Sequence, residues 1–151
     1  MNFRQDYPER NKGPNLCDEI FLKYAKTHKY EYRRFGYDES KENRIESSEF
    51  NSLSLIVRKK PDYIIKNEKK HYFIECKLGA YDGLKLKDCD MIGYEYWNNQ
   101  LIIFFFVYFP SFKKIKIVKY CDMLELTKGK ERFFMPDNKE PYCKILYEEM
   151  Q

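Results

Sequence analysis

The sequence predicts an α/β domain in which a helix, three strands, a second helix and a further strand build a central mixed β-sheet. Three observations carry that expectation. The run 101–109 is apolar throughout and stops at Pro110; it is too short to cross a bilayer as a helix and suits a strand buried on both faces, as a parallel strand after a helical crossover must be. Two aromatic and β-branched runs, Asp62-Tyr63-Ile64-Ile65 and His71-Tyr72-Phe73-Ile74-Glu75-Cys76-Lys77, flank the polar stretch 66–70 and read as a hairpin. Apolar residues at helical spacing precede the hairpin and recur after it.

In chain order, residues 1–14 are polar, hold Pro8, Gly13 and Pro14, and lack the apolar core of a signal peptide; they read as an N-terminal arm to a single domain over 15–151. Asn15 suits an N-cap with Asp18 behind it, and Leu16, Ile20 and Tyr24, widened by Phe21, form the apolar stripe of the first helix. The first strand is expected over 30–35. The polar, acidic stretch 38–54 is expected to be a long loop with at most a short helical turn, and 53–57 to extend the second strand. Pro61 fits the first residue of a strand, where no ladder hydrogen bond is donated. Gly79 to Gly83 reads as a turn, and 84–99 as a helix on which Leu86, Asp90, Tyr94 and Trp97 share one face, with Gly93 weakening it by about 1 kcal/mol relative to alanine. After the apolar strand, Ile115 and Ile117 alternate with lysines over 113–119, the pattern of a half-exposed edge strand. The tail, broken by Gly129, Pro136 and Pro141, is expected to cover one side of the core with short elements.

Composition bounds the class. A chain of 151 residues is one domain's worth and long enough for a single core. The formal charge of +4 is mild, so affinity for a nucleic acid has to come from a local patch. Five cysteines with no Cys-x-x-Cys spacing argue against a disulfide framework and a zinc module and fit a reducing cytoplasm. His28 and His71 belong to no metal-type spacing, and His71 is expected at the surface. No glycine-rich phosphate loop and no serine-nucleophile motif is present, which leaves NTPase and acyl-transfer chemistry without support.

The chemistry concentrates in the hairpin. On a strand, Glu75 and Lys77 fall on one face and Cys76 on the other, and pairing of the two strands brings Asp62 toward Glu75. Two carboxylates held together are costly to bury unless a cation compensates. Mg²⁺ takes oxygen ligands, typically one or two carboxylates with waters and phosphate oxygens, and can stabilise charge on a scissile phosphate. Lys77 then stands where it can orient or deprotonate a water. The basic run Arg58-Lys59-Lys60 just before Asp62 is either a solvated strand end or a phosphate contact, with Lys60 the nearest to the aspartate.

Pro61-Asp62 with Glu75-x-Lys77 resembles the PD-(D/E)xK nuclease superfamily, whose restriction-endonuclease-like core matches the element order over 15–119. The superfamily includes restriction enzymes, Holliday-junction resolvases and phage exonucleases. The resemblance implies Asp62 and Glu75 as ligands of Mg²⁺ (or Mn²⁺), the main-chain carbonyl of Cys76 as a further ligand, and Lys77 as the residue that activates water or stabilises developing charge. It implies a metal-assisting helix glutamate, for which Glu19 has the matching place, and substrate contacts on the second helix, for which Asp90 and Tyr94 resemble the spacing although the residue type at 90 departs. Lys85 and Lys87, at the start of that element, would meet a nucleic-acid backbone. The function so implied is metal-dependent endo- or exonucleolytic hydrolysis of DNA, with RNA a second substrate class and a two-fold homodimer one way to present two sites to two strands; no membrane partner is expected. The alternatives are an inactive nucleic-acid-binding or partner-binding module of the same fold, or a subunit of a larger nuclease or defence complex. The lysine, asparagine, tyrosine and isoleucine bias is compatible with a phage or mobile-element origin.

Overall fold

The apolar run becomes the spine of the molecule. In the computed structural model, which describes residues 16–37 and 47–151, strand β5 (Ile103–Phe109) has Ile103, Phe105, Phe106, Val107 and Phe109 essentially without solvent exposure. It runs parallel to β3 (Lys70–Leu78), with Glu75 opposite Phe105 and Lys77 opposite Val107. The hairpin forms as the sequence implies: β2 (Tyr63–Asn67) pairs antiparallel with β3 in the register Tyr63 to Ile74. The edges are β1 (Glu31–Arg34) beside β2 and β6 (Lys114–Lys119) beside β5, both antiparallel. Among the described residues the main sheet therefore has the order β1-β2-β3-β5-β6. With one helix before the first three strands and another before β5, this is the expected mixed-sheet α/β core.

Helix α1 (Leu16–Thr27) covers one face, packing Cys17, Phe21 and Ala25 against Tyr63, Ile65, Ile74 and Phe106. The stripe is rotated by one residue from the expected one. Cys17, Phe21 and Ala25 repeat at the same helical spacing as Leu16, Ile20 and Tyr24, and the small Cys17 and Ala25 let the helix approach the sheet closely, so Leu16 is left 44% exposed. The rotation also turns Asp18 inward.

The other face carries the larger core. After β3 the chain forms β4 (Leu84–Lys87), and only then α4 (Asp88–Asn98), where a continuous helix was expected from residue 84. Leu84 and Leu86 are buried while Lys85 faces solvent; this period of two is satisfied because β4 finds a partner far along the chain, β8 (Pro141–Ile145), with Leu86 opposite Cys143. With β7 (Phe133–Phe134) these strands form a second sheet of order β4-β8-β7. That sheet, α4 and α5 (Tyr120–Thr127) bury Leu84, Leu86, Met91, Met123, Cys143 and Ile145 against Phe73, Phe105, Val107 and Phe109. The tail thus supplies half of this layer.

Among the described residues between β1 and β2 stand two short helices, α2 (Ser47–Ser52) and α3 (Leu55–Arg58). The extended reading of 53–57 gives way to α3 because Ser54 caps it, accepting from the Val57 N–H, and because Trp97 on α4 donates its indole N–H to the Ile56 carbonyl at 2.8 Å. The expected arm over 1–14, Asn15 as N-cap and the loop portion 38–46 lie outside the described residues. All five cysteines are free thiols, and His71 is exposed. Among the described residues no helix is long and apolar enough to cross a membrane.

The turn leaving β3 is more constrained than its glycines suggest. Gly79 donates to the Tyr108 carbonyl at 2.8 Å, and a Cβ at this position would sit 2.3 Å from the ring of the buried Phe109. Gly79→Ala is therefore expected to destabilise the protein by about 1–3 kcal/mol, as overpacking of a filled core does, which a urea unfolding midpoint would register. An unchanged midpoint would mean that the Phe109 ring can move aside.

Candidate active site

Asp62 stands immediately before β2, where the β2–β3 register continues to place it beside the Glu75–Cys76 end of β3. Its carboxylate is fixed at both oxygens: Oδ2 accepts the Cys76 main-chain N–H at 2.8 Å, and Oδ1 accepts from the Arg34 guanidinium at 3.2 Å. The same guanidinium reaches Asp18 Oδ1 on α1, also at 3.2 Å, and donates to the carbonyls of Gly36 and Tyr37. Arg34 thereby ties helix α1, the end of β1 and the start of β2 together at one point.

Glu75 is buried on the opposite face of β3 from Cys76. Tyr94 on α4 donates its hydroxyl to Glu75 Oε1 at 2.6 Å, and Lys77 Nζ lies 3.4 Å from the same oxygen. The second oxygen, Oε2, is buried with no hydrogen-bond partner. Lys77 Nζ is also 3.8 Å from Asp90 Oδ2, and Asp90 Oδ1 receives Lys59 Nζ at 2.5 Å. Four carboxylates and three cations thus share one end of the sheet.

The electrostatics follow from that crowding. Burial first, and then the neighbouring Glu75, push the Asp62 carboxyl well above its ordinary range, and Arg34 and the Cys76 N–H only partly offset them. Burial and Glu75 likewise push the Tyr94 phenol up, so it stays a hydrogen-bond donor. Burial acts to lower the Lys77 ammonium pKa, but Glu75, Asp90 and Asp62 outweigh it and the value is raised. For Asp90 the balance is reversed: burial acts to raise it, and Lys77 and Lys59 bring it below the usual carboxylate value.

These residues fit a hard divalent cation. An orphaned, buried carboxylate oxygen beside a second carboxyl whose ionised form is disfavoured is a pair lacking a positive charge, and both donors are the oxygen type that Mg²⁺ takes. Asp18, Asp62 and Cys76 can also bring one ligand atom each within 4.8 Å of one another. That second grouping offers a thiol, which burial pushes up and keeps protonated, and Arg34 already lies between its two carboxylates. Asp62 is common to both groupings.

Of the residues singled out from sequence, Asp62, Glu75, Lys77, Asp90 and Tyr94 are brought together. Glu19 is exposed on α1; the helix carboxylate that reaches the cluster is Asp18, for the rotation described above. Lys60 lies with its ammonium 4.4 Å from the centroid of the Phe35 ring and 4.9 Å from that of Tyr37. Lys85 and Lys87 are on β4 and not at a helix start; Lys85 stands over the Tyr142 ring, and Lys87 pairs with Glu140 at 2.8 Å. Sequence reading did not single out Asp18, Arg34 or Lys59 for this cluster. A second amphipathic register on α1 was the available signal for Asp18, and the basic run 58–60 before Asp62 was the signal for Lys59; Arg34 has none without the tertiary contacts.

No protein-family model matches the chain, and no curated protein matches it. Solved structures similar to it include two nucleases. One is Hjc, a Holliday junction resolvase from the archaeal hyperthermophile Archaeoglobus fulgidus, with a TM-score of 0.48 and 10% identity over 85% of this chain and 85% of that one. The other is a nuclease from a fusselovirus, with a TM-score of 0.47 and 11% identity over 88% of this chain and 79% of that one.

The raised Asp62 pKa fixes the sign of a pH effect. A carboxyl whose folded value lies above its unfolded value of 3.8 contributes stability that is fully present below the unfolded value and is lost as pH rises through the folded one. In metal-free protein, Asp62→Asn, which keeps an acceptor for the Cys76 N–H but loses the one for Arg34, should gain in stability relative to wild type as pH rises and lose that gain as pH falls. Mg²⁺ or Mn²⁺ at about a hundred times its Kd should stabilise wild type by about 2.7 kcal/mol and Asp62→Asn far less. Thermal unfolding across pH, with and without metal, reads both; equal stabilisation of the two proteins by metal would remove Asp62 from the metal site.

Proposed function

We propose that the chain is a metal-dependent nuclease that hydrolyses phosphodiester bonds in DNA. The observation that carries this reading is the partnerless buried oxygen of Glu75 beside Asp62, with the Lys77 ammonium on the same side of the strand. Asp62, Glu75 and the main-chain carbonyl of Cys76 would hold Mg²⁺ or Mn²⁺. When bound, the ion supplies a Lewis acid that lowers the pKa of a water and neutralises charge on the phosphate.

The remaining work falls to the chain's own side chains. The Cys76 N–H and Arg34 lock the Asp62 carboxylate in place, and Asp18 holds Arg34 in turn. Tyr94 fixes one oxygen of Glu75 and leaves the other free. Lys77, kept cationic by its carboxylate neighbours, orients the attacking water by donating to it and meets the negative charge that develops on the phosphate. Asp90 acts through Lys77 as a positioning residue and does not touch the anionic substrate, since both of its oxygens face ammonium groups.

Cleavage of linear, single-stranded, circular and four-way-junction DNA in Mg²⁺, Mn²⁺ or EDTA is the direct test. Wild type is expected to cut at least one of these in a metal-dependent way, with Asp62→Ala and Lys77→Ala each reducing the rate by about 100-fold or more. Undiminished cutting by Asp62→Ala would place the chemistry elsewhere. Absence of cutting, with DNA binding equal in all three proteins, would favour a non-catalytic module.

A further inference from the structure

We infer that Lys59 is a second substrate-facing cation of this site, held beside Lys77 by the shared carboxylate of Asp90 to contact a phosphate of the bound strand. The inference rests on the nuclease reading and deepens it. Lys59 lies in the connection between β1 and β2, outside the strands that carry Asp62, Glu75 and Lys77. It caps the C-terminus of α3, with its N–H directed to the Leu55 and Ile56 carbonyls. Its ammonium nevertheless enters the cluster, 2.5 Å from Asp90 Oδ1, while Lys77 approaches the other oxygen of the same carboxylate. The Lys59 side chain keeps 25% of its surface exposed against 13% for Asp90, so this lysine stands at the open side of the ion pair.

Helix α4 is shaped to receive this lysine. A Cβ at Gly93 would fall 2.5 Å from Lys59 Cγ and 2.6 Å from its Cβ, so the stem crosses α4 where the helix has no side chain. Asp90, Gly93 and Trp97 lie along one strip of the helix, and each serves α3: Asp90 takes the Lys59 ammonium, Gly93 clears its stem, and Trp97 bonds the Ile56 carbonyl. A glycine inside a helix is destabilising relative to alanine, and a partly exposed ion pair returns little stability. The ion pair alone therefore does not offset the glycine; what Gly93 permits is the close approach of α3 to α4, and with it the placement of the Lys59 ammonium beside Lys77.

The charge count agrees. In a metal-loaded site, where Asp62 is ionised, the side chains of Asp18, Asp62, Glu75 and Asp90 against Arg34, Lys77 and Lys59 are by themselves one positive charge short of neutral. A divalent cation turns that deficit into one excess positive charge, and one phosphodiester returns it to zero. Without Lys59 the loaded complex would carry an unbalanced negative charge in a part-buried site, which is costly.

Three proteins test this: wild type, Lys59→Met, which keeps an unbranched stem over Gly93, and Lys59→Arg, which keeps the charge. Cleavage kinetics, the salt dependence of DNA affinity measured in Ca²⁺, and thermal unfolding are compared. Lys59→Met is expected to cut about 100-fold more slowly, to lose about one unit from the slope of log affinity against log salt, and to keep the wild-type melting temperature; Lys59→Arg should recover most of the rate and the slope. A wild-type slope and rate in Lys59→Met, beside an active wild type, would overturn the role of Lys59 and leave the nuclease reading intact. So would a rate loss that only follows a drop in melting temperature and that Lys59→Arg does not recover. A wild type that neither binds nor cuts DNA would sink both readings, and that result is read from the wild type alone.

Discussion

Holding the Asp62 and Glu75 carboxylates side by side at the end of a β-hairpin is the constraint to which the rest of the structure is fitted. Bringing two such groups out of water costs several kcal/mol per ion unless each is hydrogen-bonded or paired. Three of the four oxygens are engaged: by the Cys76 N–H, by Arg34, and by Tyr94 together with Lys77. The fourth is left without a partner. Buried polar atoms are satisfied in the great majority of cases, and in the proposed reading this open oxygen is where the cation would bind.

The groups that compensate come from every layer. Arg34 arrives from the edge strand β1 and Asp18 from α1 on one face; Tyr94 and Asp90 arrive from α4 on the other, and Lys59 from α3. The main sheet is the reference frame for all of them. Its two central strands run parallel with β5 almost wholly buried, and the second sheet locks the far side of α4 through Leu84, Leu86, Cys143 and Ile145. A helix held by packing along its length can aim Tyr94 at Glu75 and offer a cleared strip at Gly93, tasks that a frayed or shifted helix would not perform.

Local pattern made the central part of this arrangement legible. The hairpin runs, the buried strand after a crossover and the alternation that puts Glu75 and Lys77 on one face are all properties of short segments, and the observed registers agree with them. Partnerships across long stretches of chain were not legible. Leu84 and Leu86 read as the start of a helix, and they form a strand because β8 supplies the ladder. The segment 53–57 looks extended by β-branched content, yet Ser54 and the Trp97 bond bend it into α3, which is what carries Lys59 to the cluster. On α1 two stripes one residue apart compete. Only packing against the sheet chooses the one with the smaller residues, and with that choice the inward carboxylate becomes Asp18 in place of Glu19.

The same crowding decides what Lys77 can do. A lysine that accepts a proton from water must spend part of its time neutral, and burial by itself would favour that form. Here Glu75, Asp90 and Asp62 reverse the effect of burial and keep the ammonium charged. Without a metal, the carboxylates that would hold the ion are the same ones that hold the lysine as a cation; a bound divalent ion would draw on the same negative charge, and Asp90, outside the proposed ligand set, would remain as the lysine's partner. In the proposed reading Lys77 contributes direction and charge, and Asp90 determines where that charge stands by drawing on Lys77 from the side away from Glu75.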